Sequence, residues 1–350
     1  MNAQFSAAAI AIASLFIGAT ISQTSANPSE KYLNSYKEYS SASCPLETDD
    51  ITHFVYFARD RSSIRDHPLL KNDRLSGAQI MYSWRQLEPS QGRYDFSAIE
   101  NDLVYLAAHG KKLFVQLQDA SFSPHFKPVP NYLLSSRFDS GVSPQYTDEG
   151  ELEGWVAKRW NKAVQDRFAA LLHALGEEFD GEIEGLNLQE TAIGISSETD
   201  ASFSASGYAS SLKTNMRALK SAFRTSTVML YANFMPGEWR PWEDQGYLSG
   251  LYEFGEETKV GLGAPDLIYT RKGQLNHALA MMHERSYSTP LGIAVQDGNY
   301  IGETNTLKVL HERKNIVPIL HAFAKDFLKV DYMFWRNQKP YFEQDLLPCL

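Results

Sequence analysis

The stretch SGAQIMYSWRQLEPSQGRYDFSAIENDLVYLAAHGKKLFVQLQD, residues 76–119, decides the fold because it contains one complete strand, helix, strand unit. Residues 77–83 are short and apolar, as a strand buried on both faces must be, and residues 113–117 repeat that character. Between them Phe96, Ile99, Leu103, Leu106 and Ala107 recur at helical spacing, and Gly110 stands where a left-handed cap ends a helix. Two parallel strands joined through one helix make a right-handed crossover.

The same rhythm runs to the end of the chain. Further strands are expected at residues 52–57, 183–189, 227–233, 259–263, 291–296 and 330–335. Helices are expected between them, around Val164 to Leu175, then at 208–223, 248–257, 275–285 and 306–329, the last kinked or broken at Pro318. Eight strands alternating with helices predict an α/β fold, a single (β/α)8 TIM barrel over residues 51–350 with a long loop after its third strand. A doubly wound open sheet would instead want a glycine-rich phosphate turn after the first strand, and FARDRSS at 57–63 is not one.

Of the 350 residues, 43% are hydrophobic and 21% charged, which suits a large packed core and excludes disorder. The first 26 residues carry no charged side chain, and the apolar run 7–21 followed by Thr24-Ser25-Ala26 reads as a signal peptide cleaved after Ala26, although it lacks a basic start. A retained anchor is the competing reading, but the run is short for a span. The expectation is an exported chain, periplasmic or secreted, with residues 27–50 as an extension and no membrane contact after cleavage. Cys44 and Cys349 are the only cysteines. A closed barrel makes its first and last strands neighbours, and export permits oxidation, so a Cys44–Cys349 disulfide is expected.

A net charge of -9 argues against nucleic acid as a partner. The histidines form no HExxH pattern, the cysteines have no metal spacing, and there is neither a nucleophile elbow nor a phosphate loop. Neither metal nor organic cofactor is implied, and carboxylates are left as the candidates for chemistry.

Barrel enzymes build their sites where the strands end. The third strand ends in Gln118 and Asp119, the fourth in Gln189 and Glu190, the fifth in Asn233, the seventh in Gln296 and Asp297, and the eighth in Trp335; Asp266 follows the sixth. Amides to bind hydroxyls, aromatics to stack on rings and acids to cleave the bond form the chemistry of a sugar site. Trp84, at the end of the second strand, is either a stacking platform or a packed residue. Asp119 either binds substrate or satisfies its loop. Glu88 either takes part in the site or belongs to a turn that fixes the strand–helix connection, the reading its neighbouring Pro and Gly favour.

The segment W-x-x-x-E-P-x-x-G-x-Y-D-F, from Trp84 through Glu88, Pro89, Gly92, Tyr94 and Asp95 to Phe96, resembles the second-strand region of the large clan of retaining (β/α)8 glycoside hydrolases. Similarity extends to Arg159-Trp160, to GLGAPDL at 261–267 and to MFW at 333–335. The resemblance implies that Glu190 is the acid/base and that Trp335 is the floor of a sugar subsite, although Gln189 stands where the clan has asparagine. It also implies a nucleophilic glutamate ending the seventh strand, where this chain has Asp297. A carboxylate drawn back by about 1.5 Å widens a separation of roughly 5.5 Å towards one that admits water. Asp297 as displaced nucleophile, Asp297 as general base of an inverting reaction, a barrel that binds glycan without cutting it, and a carboxylate elsewhere (Glu303, Glu238 or Asp266) all stay open. An extracytoplasmic scaffold is the reading outside carbohydrate chemistry.

The loop at 120–158 is long enough to wall a cleft. Its aromatics, Phe122, Phe126, Tyr132, Phe138, Tyr146 and Trp155, are expected to divide between stacking on sugar rings and forming the loop's own small core.

Overall fold

The computed structural model describes residues 30–147 and 149–350, so the expected leader lies outside the described residues. In chain order the strands are β1 (Thr52–Tyr56), β2 (Leu75–Ser83), β3 (Lys112–Gln118), β4 (Ala120–Ser121), β5 (Val142–Tyr146), β6 (Leu152–Ala157), β7 (Gly185–Leu188), β8 (Thr227–Tyr231), β9 (Gly261–Ala264), β10 (Leu291–Val295) and β11 (Tyr332–Arg336). Eight of these close into the expected parallel barrel, in the order β1-β11-β10-β9-β8-β7-β3-β2. Closure lies at β1, where Val55 pairs with Ala78 on one side and Trp335 on the other.

Alternation along the strands separates two cores. Val55, Ile80, Val115, Leu186, Leu230 and Ile293 face outward into the layer shared with the helices. Phe54, Phe114, Tyr231, Tyr332 and Phe334 fill the barrel itself. Room for them comes in part from glycine on β9 and β10: a Cβ on Gly261 would lie 2.9 Å from Cγ of Met229, and one on Gly292 would lie 2.5 Å from Cε of Met229 and 3.3 Å from Cε2 of Phe334. Large side chains on one side of the barrel are thus matched by bare backbone on the other.

The unit that opened the sequence forms as expected, with a helix at Ser97–Ala107 and Gly110 at φ +67° beyond it. Two later helices depart from expectation. Residues 304–316 form an irregular loop, and the last long helix is confined to Val317–Ala322 and the wider turn Phe323–Leu328. Pro318 sits in its first turn, where a missing N–H leaves no bond unmade, rather than at a kink. The helix expected at 275–285 is divided into Lys272–Leu275 and Ala278–Glu284.

The motif at 84–96 works as a staple. Glu88 is fully buried, and its carboxylate accepts from Trp84 Nε1 (2.8 Å), the Gly92 N–H (2.8 Å) and the Tyr132 hydroxyl (2.9 Å), and pairs with Arg167. A buried charge is tolerated only when so partnered. One side chain therefore joins the end of β2, the following turn, the excursion after β3 and the helix Lys162–Phe179.

That excursion carries a small antiparallel sheet, ordered β4-β6-β5. At the other end of the chain Cys44 and Cys349 are bonded, with Cα atoms 4.7 Å apart. The Leu46 N–H donates to the Cys349 carbonyl at 2.7 Å beside the bridge.

Candidate active site

The polar residues ending the strands meet in one cleft of about 810 Å³, within the range of ligand sites, lined by Phe122, Tyr146, Glu190, Asn233, Trp239 and Asp266 among others. Its floor opens into a narrower recess of about 90 Å³ lined by Tyr56, Gln116, Gln118, Gln189, Glu190 and Gln296. Gln116 and Gln118 point inward because they continue the parity of Phe114 along β3. The two residues are 2% and 4% exposed, and the Oε1 atom of each has no hydrogen-bond partner among the described residues. Acceptors that border a recess can take hydrogen bonds from water or from the hydroxyl groups of a ligand.

Glu190 follows directly after Gln189, at the point where the chain leaves β7. Gln189 Oε1 accepts from the backbone N–H groups of Asp119 (3.0 Å) and Ala120 (2.7 Å), tying the ends of β3 and β7 together. Arg159 is buried behind them. Its Nε and Nη2 fork onto the two oxygens of Asp119 at 2.7 and 2.6 Å, and its Nη1 donates to the Glu190 carbonyl and to the Tyr208 hydroxyl, both at 2.8 Å. Asp119 is therefore engaged in holding Arg159 and turns no free oxygen to the cleft. Glu190 Oε2 accepts from Asn233 Nδ2 at 2.8 Å, and Asn233 is itself oriented through Thr191 and the Ala192 N–H.

Burial pushes the Glu190 carboxyl up to about 8, and the neighbouring Asp266 charge adds to the rise; the Asn233 hydrogen bond and Arg159 oppose it. Asp266 is also raised, chiefly by burial, while Asn299 and Arg271 favour its charged form. Asn299 Nδ2 donates to Asp266 Oδ1 at 2.8 Å, and Asn299 Oδ1 accepts from the N–H groups of Leu267 and Gln296, locking the ends of β9 and β10 to each other.

Asp297, the carboxylate expected to complete the pair, does not line the cleft, although its charge reaches Asp266 and adds to the rise there. Its Oδ1 accepts from Arg336 Nε at 2.9 Å, its side chain is 30% exposed, and it lines neither the cleft nor the recess. Of the other carboxylates that line the cleft, Glu149, Glu153 and Asp266, the one whose charge acts most on Glu190 is Asp266. The sequence places it just past the sixth strand, but its tie to Asn299 joins residues that are distant in the chain.

Neither Trp84 nor Trp335 lines the cleft or its recess. Trp84 is fully buried against Phe168, with ring centroids 5.1 Å apart, and donates to Glu88; it offers no platform. Trp335 is fully buried on the outward face of β11, because the parity that points Phe334 and Arg336 inward points their neighbour toward the helices; its Nε1 donates to His53 Nδ1 at 3.0 Å. In the excursion, Phe138 is core, Tyr132 packs on it, Trp155 is tied to the Pro124 carbonyl, and Phe126 lies under Arg59. Phe122 and Tyr146 face the cleft, joined there by Phe234 and Trp239 from the loop after β8, which the sequence did not mark.

Among the described residues, Asp49, His53 and His321 form the group whose geometry could hold a metal, their donor atoms lying within 4.8 Å of one another. The chemistry does not fit. Trp335 Nε1 can only donate, so His53 Nδ1 is the acceptor and the ring proton sits on Nε2, the atom a metal would need, facing Asp49 Oδ1 at 3.5 Å. Asp49 instead accepts from His321 Nε2 at 2.7 Å and pairs with Arg74, forming a buried network beneath the last helix.

No protein-family model matches the chain, and no curated protein matches it in sequence. In fold it is similar to the catalytic domain of β-amylase from Paenibacillus polymyxa, with a TM-score of 0.55, 9% identity, and coverage of 83% of this chain and 93% of that one. It is also similar to endo-glycoceramidase II from Rhodococcus sp. in a complex with a cellobiose-like imidazole, with a TM-score of 0.52, 13% identity, and coverage of 85% and 76%. Both likenesses are of fold, a closed (β/α)8 barrel.

Proposed function

We propose that this protein is a glycoside hydrolase in which Glu190 and Asp266 are the working carboxylates. The observation that carries the reading is the Glu190 carboxyl: raised to about 8, it stays protonated at neutral pH in a cleft lined by amides and aromatic rings. Glu190 gives its proton to the glycosidic oxygen as the bond to the anomeric carbon breaks. Asp266, ionised, either attacks that carbon or takes a proton from the water that does. Gln116, Gln118, Gln189 and Gln296 bind sugar hydroxyls on the floor, and Phe122, Tyr146 and Trp239 stack on rings above it. Asn233 and the Arg159–Asp119 fork set the position of Glu190.

Export belongs to the same reading, on the uncharged leader and on a disulfide of the kind that persists in oxidising compartments. The test is release of reducing ends from a panel of neutral and acidic glycans by wild type, Glu190→Gln, Asp266→Asn and Asp297→Asn. Loss of activity in the first two variants alone supports the pair. Loss in Asp297→Asn with Asp266→Asn active returns the second role to Asp297. Calorimetric binding without cleavage by wild type makes the barrel a glycan receptor.

A further inference from the structure

Among the described residues, the charged side chains that line the cleft are Glu149, Glu153, Glu190, Asp266, Arg240 and Arg271. Their signs are separated along its walls. Glu149 and Glu153 come from the excursion after β3, whereas Arg240 comes from the loop after β8 and Arg271 from the loop after β9, two strands that pair side by side in the barrel. The two arginines are also brought together locally. A Cβ on Gly273, two residues beyond Arg271, would lie 3.0 Å from Arg240 Nη1, so the Arg240 guanidinium rests against the segment that carries Arg271.

The arginines that hold the frame of this protein hold carboxylates: Arg159 grips Asp119, Arg167 pairs with Glu88, and Arg336 pairs with Asp297. Among the described residues Arg240 and Arg271 form no ion pair. The Arg240 guanidinium lies 6.0 Å from the Trp242 ring centroid, and Arg271 Nη2 donates to Thr304 Oγ1 at 3.3 Å. The backbone beneath each is fixed, since the Arg271 N–H donates to the Ile268 carbonyl and the Glu243 N–H to the Arg240 carbonyl, both at 2.9 Å. A guanidinium binds carboxylate or sulfate oxygens through paired N–H donors, and here no protein carboxylate occupies those donors. In a chain of net charge -9, two such groups on one wall of a cleft make a local site for an anion.

We propose that the glycan taken into the cleft is anionic, with a carboxylate or sulfate group of one sugar held between Arg240 and Arg271. This rests on the glycan reading above and adds the charge of the substrate to it. The arrangement also gives the glycan a direction. Arg271 is near enough to Asp266 to favour its ionised form, so the charged sugar lies on the Asp266 side of the cleft. The acidic wall formed by the excursion repels the same group from the opposite placement.

The test is calorimetric binding to the full chain carrying Glu190→Gln, with hydrolysis followed separately in wild type. The probes are oligogalacturonate, oligomannuronate and a carrageenan oligosaccharide, each against its methyl-esterified or desulfated counterpart. The anionic member of the accepted pair should bind about tenfold or more tightly than its neutral counterpart, and added salt should shrink the difference. Arg240→Gln should remove most of that preference while leaving affinity for the neutral member unchanged, and Arg271→Gln should remove at least as much. Both side chains are exposed, so neither variant disturbs the core. A preference confined to uronates, or to sulfated sugars, supports the site and tells which group it holds. Equal affinity for charged and neutral members overturns the proposal even where wild type cleaves both. Tight binding that the variants lose, without cleavage by wild type, supports the anion site while refuting the hydrolase reading. A preference that survives in Arg240→Gln/Arg271→Gln overturns the assignment to this pair. Competition by duplex DNA as strong as by the oligosaccharide overturns it in favour of a general attraction for polyanions.

Discussion

Replacing Glu190 by glutamine should stabilise the protein at alkaline pH, by an amount that follows from the cost of ionising a buried carboxyl. The folded-state value is raised from 4.5 to about 8, so below 4.5 the group is neutral whether the chain is folded or not, and it contributes no pH dependence. Between 4.5 and about 8 the unfolded chain ionises while the folded chain retains its proton; the folded state binds more protons, and stability falls as pH rises. Above about 8 the loss is complete. At about 1.4 kcal/mol per tenfold change in proton affinity, the rise corresponds to roughly 5 kcal/mol, reduced to about 3–5 kcal/mol because the carboxyl borders the water of the cleft. Glutamine keeps the acceptor for Asn233 Nδ2 and never ionises. Guanidinium unfolding of wild type and Glu190→Gln at pH 4 and pH 9 measures the effect; the other titrating groups are common to both proteins, so the difference isolates this one. Near-equal stability at pH 4 and a more stable variant at pH 9 are expected. A difference that does not change with pH, or a less stable variant at pH 9, would refute the reasoning.

Other consequences are more local. Asp266→Asn removes a negative neighbour and should lower the Glu190 titration by about one pH unit, read from its side-chain carboxyl by 13C NMR without need of turnover; an unmoved titration means that the two carboxyls do not share the cleft. Arg159→Met leaves the Asp119 charge buried without its fork and should cost about 3–5 kcal/mol in denaturant unfolding, whereas a cost below 1 kcal/mol would show that the fork is dispensable. Trp335→Phe should lower stability by about 1–3 kcal/mol, through a cavity and an orphaned His53 Nδ1, while leaving KM unchanged; a raised KM would restore a sugar-binding role. Cys44→Ser should cost about 2–5 kcal/mol with activity at 25 °C preserved, since the bridge lies away from the strand ends that carry the site.

The barrel was legible because each buried strand is a short apolar run bounded by polar residues, and because the helix at 97–107 shows its period and its glycine stop. The position of Glu190 was legible for a related reason: a carboxylate directly after such a run lies at a barrel mouth. What the sequence hid were relations decided by parity or by distant contact. Trp335 and Arg336 are adjacent in the chain, and only the register of β11 decides which of them enters the barrel. Asp266 owes its place to Asn299, and Arg159 owes its importance to Asp119, Tyr208 and a backbone carbonyl, none of which local spacing reveals. The small sheet β4–β6 escaped notice because β5 (VSPQY) and β6 (LEGWVA) mix polar residues, a proline and a glycine into their spans and form no apolar run.

The bond between Cys44 and Cys349 has a topological result as well as an energetic one. All eight barrel strands lie between the two cysteines, so the covalent path through the barrel is a closed ring. A single cut in any rim loop would turn that ring into a linear chain with new ends, and nothing would be released. The loops that carry the cleft walls can therefore be nicked by a protease, or chosen as the termini of a rearranged chain, while every strand stays joined to its neighbours in the original cyclic order.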